Sequence, residues 1–186
     1  MAGVFLPVTA TQTETYANQT INDEFVVQLP PEWSNFPVNS YAGQAIGVMD
    51  NNDISNVITI KIYQNMNCSS SMEEKLRVNL NDFNAQAGIA ALSDPDFGND
   101  SVAQYGKYSD GKISHLFLRL IGGNVVAVFG SYDTMDIAKE HASEFTTIAS
   151  SVIPLHEAVQ DHCAEATKTA SVVPTGNNTR ATPVQS

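Results

Sequence analysis

The feature that most constrains this chain is a strand-like run that ends in two prolines, Phe25-Val-Val-Gln-Leu-Pro-Pro-Glu-Trp33. Proline has no backbone N–H to donate to a sheet, so Pro30 and Pro31 must close the strand. Trp33, the only tryptophan, follows two residues after Pro31 and is free to cover a sheet face with a large apolar surface. The run therefore predicts a sheet with one face covered by Trp33.

Hydrophobic periodicity predicts several more strands downstream. Alternation such as that of Ile58, Ile60 and Ile62 is typical of a half-buried strand. On this pattern, strands cover about residues 24–29, 44–49, 57–63, 102–108, 113–121 and 124–131. The pair Gly122-Gly123 marks a tight turn between the last two of them.

The first predicted helix spans residues 72–87. Ser71 and Glu74 have the spacing of a capping box, and apolar residues recur on one face of the helix. A second helix is predicted over residues 135–152, and a shorter third one over residues 155–166. The fold class is therefore α+β, with a single antiparallel sheet of about six strands flanked by two or three helices.

The order of these elements resembles the PsbP/DcrB-like superfamily over about residues 22–153. The likeness is carried by Phe25–Trp33, the Ser71-Met-Glu-Glu helix start, Ile113–Phe129 with its Gly-Gly turn, and the helix ending at Val152. The resemblance implies accessory work without catalysis, as in envelope lipoproteins that assist transport or bind lipids. Other members are assembly factors of photosynthetic complexes, or cytosolic chaperones that shield apolar helices. The group shares no single site, so no functional residue is carried over.

The ends of the chain differ in composition from the middle. We expect residues 1–21 to be an extended or flexible arm, residues 22–166 to be the domain, and residues 167–186 to be a disordered tail. The first eight residues are a poor signal peptide, because the first lysine is Lys61. The chain is either cytoplasmic or has lost a signal. The polar, threonine-rich residues 9–20 favour the second case, and so an extracytoplasmic protein of the cell envelope or a secreted one.

Charge and hydropathy restrict the partners. The formal net charge is −11, which disfavours nucleic acid and anionic membranes. No apolar run reaches the roughly 18 residues that a membrane helix needs. Two cysteines are present, Cys68 and Cys163. They either form one disulfide across a long loop or remain two separate thiols.

We predict no catalytic residues, no cofactor and no metal site. Ser114 and His115 alternate along one strand and so point to opposite faces, which argues against a nucleophile–base pair. Residues 155–166 contain several side chains of the types that bind metals. On a helix, at most two of them lie close enough together to share one ion. Asp94 and Asp96 lie in an acidic loop with Asn99 and Asp100, which suggests calcium, although the spacing fits no EF-hand.

The leading functional hypothesis is a non-enzymatic accessory domain that binds a protein partner or a lipid on its sheet face. The candidate contacts are the large aromatic residues of the sheet: Trp33, Tyr105, Tyr108, Phe117, Phe129 and Tyr132. The alternative for each is a place in the core. Two other hypotheses stay open: an assembly subunit that donates its N-terminal arm as a strand, and a cytosolic chaperone for apolar segments. A deep polar pocket with convergent His, Asp or Glu groups would indicate an enzyme.

Overall fold

A computed structural model describes residues 15–40, 43–68 and 71–156. The predicted α+β class is confirmed. The strands are β1 (Ala17–Ile21), β2 (Phe25–Leu29), β3 (Trp33–Ser40), β4 (Gly43–Asp50), β5 (Val57–Gln64), β6 (Ala90–Ala91), β7 (Asp96–Phe97), β8 (Ser101–Lys107), β9 (Ile113–Ile121), β10 (Asn124–Tyr132) and β11 (Ile153–Pro154). The helices are α1 (Met72–Ala87), α2 (Met135–Glu140) and α3 (Ala142–Ser151).

The main sheet is antiparallel and has eight strands in the described residues, against about six expected. Its order is β3-β4-β5-β10-β9-β8-β6, and the short strand β7 also pairs with β8. The first predicted strand, β2, lies in a separate antiparallel sheet of three strands with the order β1-β2-β11. The prolines do close β2, and Trp33 N–H donates to the carbonyl of Pro30 at 3.1 Å as the chain turns into β3.

Strand β3 lies at the edge of the main sheet, where the sequence predicted no strand. Its central residue Pro37 lacks a backbone N–H, and only an edge strand tolerates that loss. Because proline disfavours a strand assignment, the sequence did not predict β3. The missing N–H of Pro37 also leaves part of the sheet edge without a hydrogen-bond donor.

The first hairpin uses two non-glycine residues with positive φ. Asn22 has φ 50° and Asp23 has φ 58°, and Glu24 N–H donates to the carbonyl of Ile21 at 2.9 Å. Asn and Asp tolerate this conformation better than other residues. The turn brings Ala17–Ile21 onto β2 of the same chain. This pairing counts against donation of that segment to a neighbouring subunit; residues 1–14 lie outside the described part.

Helix α1 has the bounds that the sequence predicted. The hydroxyl of Ser71 accepts from Glu74 N–H at 3.2 Å, and Gly88 ends the helix with φ 66°. Asn79 lies on the buried face of the helix, although its side chain is polar. Its side chain donates to the Asn65 side-chain oxygen at 3.0 Å and to the Lys75 carbonyl at 2.8 Å.

The predicted second helix is two helices that meet at His141. The backbone of His141 leaves the helical region at φ −86° and ψ 0°. Its ring stacks on Tyr132 and lies 3.7 Å from both the Asp53 and the Glu144 carboxylates. These tertiary contacts hold the break, which local helix propensity does not reveal.

The main sheet separates two large apolar cores, and a third, smaller cluster contains Ile113, Tyr132 and Ala138 of helix α2. We call the two sides of the sheet the α3 face and the α1 face. On the α3 face, residues such as Val128 and Ile60 pack beneath β1, β2 and helix α3. On the α1 face, residues such as Leu118 and Ala127 pack beneath Leu76 and Leu80 of helix α1.

The third predicted helix falls mostly on residues that the structure does not describe. Leu155 and His156 are described and are not helical. Cys163 and the acidic residues around it lie outside the described residues, so the pairing of Cys68 with Cys163 stays a prediction. Among the described residues, no helix is long and apolar enough to cross a membrane.

Candidate binding groove beside helix α3

A groove of about 560 Å³ opens on the α3 face between the start of helix α3 and the loop of residues 93–98. We call it the His115 groove. Its floor consists of side chains from β8 and β9, and its walls come from the loop and from the helix. The main lining residues are Asp94, Asp96, Phe97, Ala103, Tyr105, His115, Phe117, Ala142 and Thr146.

The register of β8 and β9 explains the floor. Tyr105 lies opposite His115, and Ala103 lies opposite Phe117, so all four side chains share one face of the sheet. The Tyr105 and His115 rings stack at 4.3 Å between centroids. On its other side, the His115 ring stacks on Phe145 of helix α3 at 4.1 Å. The imidazole is therefore held between one core ring and one ring that lines the groove.

His115 is only 5% exposed, and burial lowers its pKa to about 4. The imidazole is neutral at neutral pH because water no longer stabilises the protonated form. Its Nδ1 atom is buried and has no hydrogen-bond partner in the described part of the chain. Unpaired buried polar atoms are rare in native structures, and each one calls for an explanation.

The loop that forms the outer wall is fastened to strand β8. Leu92 N–H donates to the Tyr105 carbonyl at 2.9 Å, and Tyr105 N–H donates to the Ser93 hydroxyl at 3.1 Å. The Gln104 side chain donates to the Ser93 carbonyl at 2.9 Å, and β7 pairs with β8 farther along. These bonds fix the distance between the wall and the floor.

The charge of the groove is negative. Asp94 and Asp96 are the charged side chains among the described residues that line it, and both are exposed. Arg119 follows Phe117 on the same face of β9, but its guanidinium donates to the Asp100 carboxylate at 2.8 Å. The cation at this end is therefore neutralised within the protein.

The geometry does not support the calcium hypothesis for Asp94 and Asp96. Asp100, the third acidic residue of that loop, is engaged by Arg119, and Asp96 is part of strand β7. Within residues 15–40, 43–68 and 71–156, no group of three or more His, Cys, Asp or Glu side chains is placed to hold one metal ion.

The six predicted contact residues fall into two groups. Trp33, Tyr108, Phe129 and Tyr132 are 2–9% exposed and belong to the apolar cores, so they offer a partner almost no surface. Tyr105 and Phe117 are partly exposed and line the groove. Burial raises the pKa of Tyr105, so its hydroxyl stays protonated at neutral pH.

Sequence reasoning did not predict that His115 and Phe97 line this groove. A signal for the first was present, because the turn around Gly111 sets the register that places Tyr105 opposite His115. The position of Phe97 depends on the pairing of β7 with β8. Strand β7 has only two residues and no periodicity to read.

A second concavity of about 490 Å³ lies on the α1 face between strand β5 and helix α1. We call it the Tyr63 cavity, after the ring that lines it together with Lys61, Asn79 and Phe83. The Lys61 ammonium lies 5.5 Å from the centre of the Tyr63 ring. Burial, with a smaller contribution from Asp82, raises the pKa of Tyr63 to about 12.

Comparison with solved structures shows the fold. The chain is similar to cyanobacterial PsbP (CyanoP) from Synechocystis sp. PCC 6803, with a TM-score of 0.53 and 12% identity over 82% of this chain and 98% of that one. It is also similar to the Ran-binding protein Mog1p of Saccharomyces cerevisiae, with a TM-score of 0.51 and 8% identity over 77% and 97%. The expected PsbP-like architecture is thereby confirmed. No protein-family model and no curated protein sequence matches the chain.

Proposed function

We propose that this chain is a non-enzymatic binding domain that holds a segment of a protein partner in the His115 groove. The observation that carries the proposal is the buried, unpaired imidazole of His115 beneath a groove floored by Tyr105 and Phe117. Aromatic side chains that stay partly exposed over a fixed floor are frequent at the energetic centre of interfaces. The groove is also within the size range of ordinary ligand sites.

The structural neighbours support a binding role. Mog1p is described as a Ran-binding protein, so one protein of this fold binds a protein partner. The two carboxylates on the wall of the groove favour a polar or basic segment over the acyl chains of a lipid. We therefore prefer a protein partner to a lipid.

The state of His115 favours binding over proton transfer. A general base works best when its pKa lies near the operating pH, whereas burial lowers the pKa of His115 to about 4. Among the described residues, no hydrogen bond joins its Nδ1 to a carboxylate or a hydroxyl. Ser114 is fully buried next to it in the strand, and its side chain points to the opposite face of the sheet.

We also propose that the protein acts outside the cytoplasm. Support comes from the predicted disulfide between Cys68 and Cys163, because structural disulfides persist mainly in oxidising compartments. Counting thiols with an alkylating reagent in the native host tests this proposal. A pair protected until reduction is expected, and two reactive thiols in freshly lysed cells would contradict it.

The binding proposal is tested by photocrosslinking from the groove in cells of the source organism. Benzoylphenylalanine replaces Thr146 on the groove wall in the full chain, and a control chain carries it at Gln86 beside the Tyr63 cavity. We expect one dominant crosslinked protein from position 146, lost when Tyr105→Ala is added. The purified partner should then bind the wild-type chain. Equal crosslinking from both positions, or crosslinking insensitive to Tyr105→Ala, would count against the groove.

A further inference from the structure

We propose that the His115 groove receives the guanidinium group of an arginine within a basic segment of the protein partner. This inference rests on the proposed function and names the chemistry of the group that the groove takes. Three independent features of the groove lead to it: uncompensated negative charge, an aromatic floor and a buried polar group without a partner.

The first feature is charge. Asp94 and Asp96 line the groove, and neither carboxylate forms an ion pair with a Lys or Arg side chain in the described residues. Arg119 does not compensate them, because it pairs with Asp100 at 2.8 Å and donates to the Ser150 carbonyl at 3.2 Å. The net charge of −11 also attracts a basic segment over longer distances.

The second feature is the aromatic floor. A cation near the face of an aromatic ring is attracted by the electron density of that face. A guanidinium group is planar, stacks on rings, and presents a fork of donors that matches a carboxylate. The protein already contains such a contact on the α1 face, where the Arg77 guanidinium lies 4.8 Å from the centre of the Phe97 ring. An arginine is therefore favoured over a lysine.

The third feature is His115. The imidazole lines the groove, is 5% exposed, and has a buried Nδ1 atom without a hydrogen bond. A ligand, or a water that it brings, can supply the missing partner. The ring is neutral at neutral pH, so it does not repel an incoming cation.

The volume of the groove indicates that the cation belongs to a chain. About 560 Å³ is the size of a site for a drug-sized molecule and exceeds what one guanidinium group fills. The residues that flank the arginine would occupy the remaining length over Ala103 and Thr146. We therefore assign the groove to a peptide segment and not to a free organic cation.

The test is an NMR titration of the full chain, labelled with ¹⁵N, at low salt. The probes are the peptide acetyl-Gly-Gly-Arg-Gly-Gly-amide, its neutral citrulline twin, and methylguanidinium. The protein variants are Asp94→Asn/Asp96→Asn in the groove and Asp136→Asn/Glu140→Gln on helix α2. The second pair changes the net charge equally at exposed positions that do not line the groove.

We expect the arginine peptide to shift the amides of Ala103, Tyr105 and Phe117 with a Kd on the order of 1 mM. The citrulline peptide and the Asp94→Asn/Asp96→Asn variant should each bind at least about tenfold more weakly. The helix α2 variant should bind like the wild type. Because the carboxylates are exposed, the affinity should fall as salt is added.

Three outcomes would overturn the inference. Equal binding of the arginine and citrulline peptides in the groove would show that the groove does not select a cation. The proposed function would still stand. Methylguanidinium that binds as tightly as the peptide would remove the protein segment. An arginine peptide that shifts no groove amide would contradict both the bound cation and the bound protein segment. In each case the crosslinking from position 146 still decides whether a partner uses the groove.

Discussion

The His115 groove and the Tyr63 cavity have similar volumes, about 560 and 490 Å³, but their polar groups differ in state. In the Tyr63 cavity, Asn79 donates to Asn65 and to a carbonyl of its own helix, and the Lys61 ammonium stacks on Tyr63. In the groove, the described residues leave the buried Nδ1 of His115 without a hydrogen bond. We infer that the groove, which holds this buried unpaired atom, is the better candidate of the two for a ligand site.

This difference shows that volume alone is a poor guide to a binding site. Concave spaces arise wherever a helix crosses a twisted sheet, and contacts within the protein can satisfy the polar groups that line them. A space whose buried or charged groups lack such contacts retains unused interaction energy. Each prediction below tests whether the His115 groove and the Tyr63 cavity differ in this way.

The largest effect is expected from the predicted disulfide, which would fasten the region beside the Tyr63 cavity. The side chain of Asn124 donates to the His156 carbonyl at 2.9 Å, and Asn124 lies opposite Gln64 at the end of β5. The chain thus leaves the described part at the end of the sheet where Cys68 lies. The seven positions from there to Cys163 span at most about 25 Å.

Replacing Cys68 by Ser should then lower the free energy of unfolding by up to about 4–5 kcal/mol, since the loop has about 95 residues. Urea unfolding measures the loss, and Cys163→Ser should reproduce it. Two thiols that react with iodoacetamide in the unreduced native protein would disprove the pairing.

A second test concerns the core rings beneath the two concavities. Phe145 supports His115, and Phe83 packs against Phe129 at 5.1 Å beneath the Tyr63 cavity. Both are nearly inaccessible, so truncating either ring to Ala should lower the free energy of unfolding by about 3–5 kcal/mol. Denaturant titration checks this. A loss below about 1 kcal/mol for Phe145→Ala would show that the groove floor is not part of the core.

The third test uses pH and the buried imidazole, which has no counterpart in the Tyr63 cavity. The folded pKa of His115 is about 4 against 6.5 for the free side chain, so only the unfolded chain binds this proton between those values. Stability from this residue is complete above pH 6.5 and is lost as the pH falls to about 4. The loss is about 3 kcal/mol.

His115→Phe keeps an aromatic ring and removes that titration. As the pH is lowered from 7.5 to 4, the free energy of unfolding of the variant should rise by about 3 kcal/mol relative to that of the wild type. Urea unfolding at several pH values measures this. Tyr63→Phe is the matched change in the other region. Its free energy of unfolding relative to the wild type should stay constant across this pH range. A pH profile shared by His115→Phe and the wild type would show that the imidazole is not desolvated.

The smallest effects are expected at the helix caps. The Ser71 hydroxyl caps α1 above the Tyr63 cavity, and the Thr134 hydroxyl accepts from Ile137 N–H at 3.3 Å at the start of α2. Replacing either residue by Ala should cost about 1 kcal/mol. Thermal unfolding of both variants measures this, and neither should change ligand binding in the groove. Reduced binding in Ser71→Ala would link the two regions.

Much of the fold could be read from the sequence where local patterns are strong. Helix α1 follows from its cap at Ser71, and β9 follows from alternation over 113–121. Strand β3 escaped because Pro37 is tolerated only at an edge, and β1 because only Ile21 of its five residues is buried. The helix break at His141 depends on contacts with Asp53 and Glu144 that lie outside any local window.

The candidate site could be predicted only in part. Of the aromatic residues proposed as partner contacts, Tyr105 and Phe117 line the groove, whereas Tyr132 is 2% exposed. Residue type alone does not separate a core ring from a contact ring. That distinction depends on helix α3, which packs on β9, and on the loop beyond Ser93 that forms the opposite wall of the groove.

The most direct test of the central claim is the affinity of the crosslinked partner for two matched variants of the full chain. Isothermal titration calorimetry compares Tyr105→Ala in the groove with Tyr63→Ala in the cavity. We predict that Tyr105→Ala weakens binding by at least about tenfold, as expected for an aromatic side chain at the centre of an interface, and that Tyr63→Ala changes it less than about twofold. An unchanged affinity for Tyr105→Ala, or an equal loss in both variants, would contradict the assignment of function to the His115 groove.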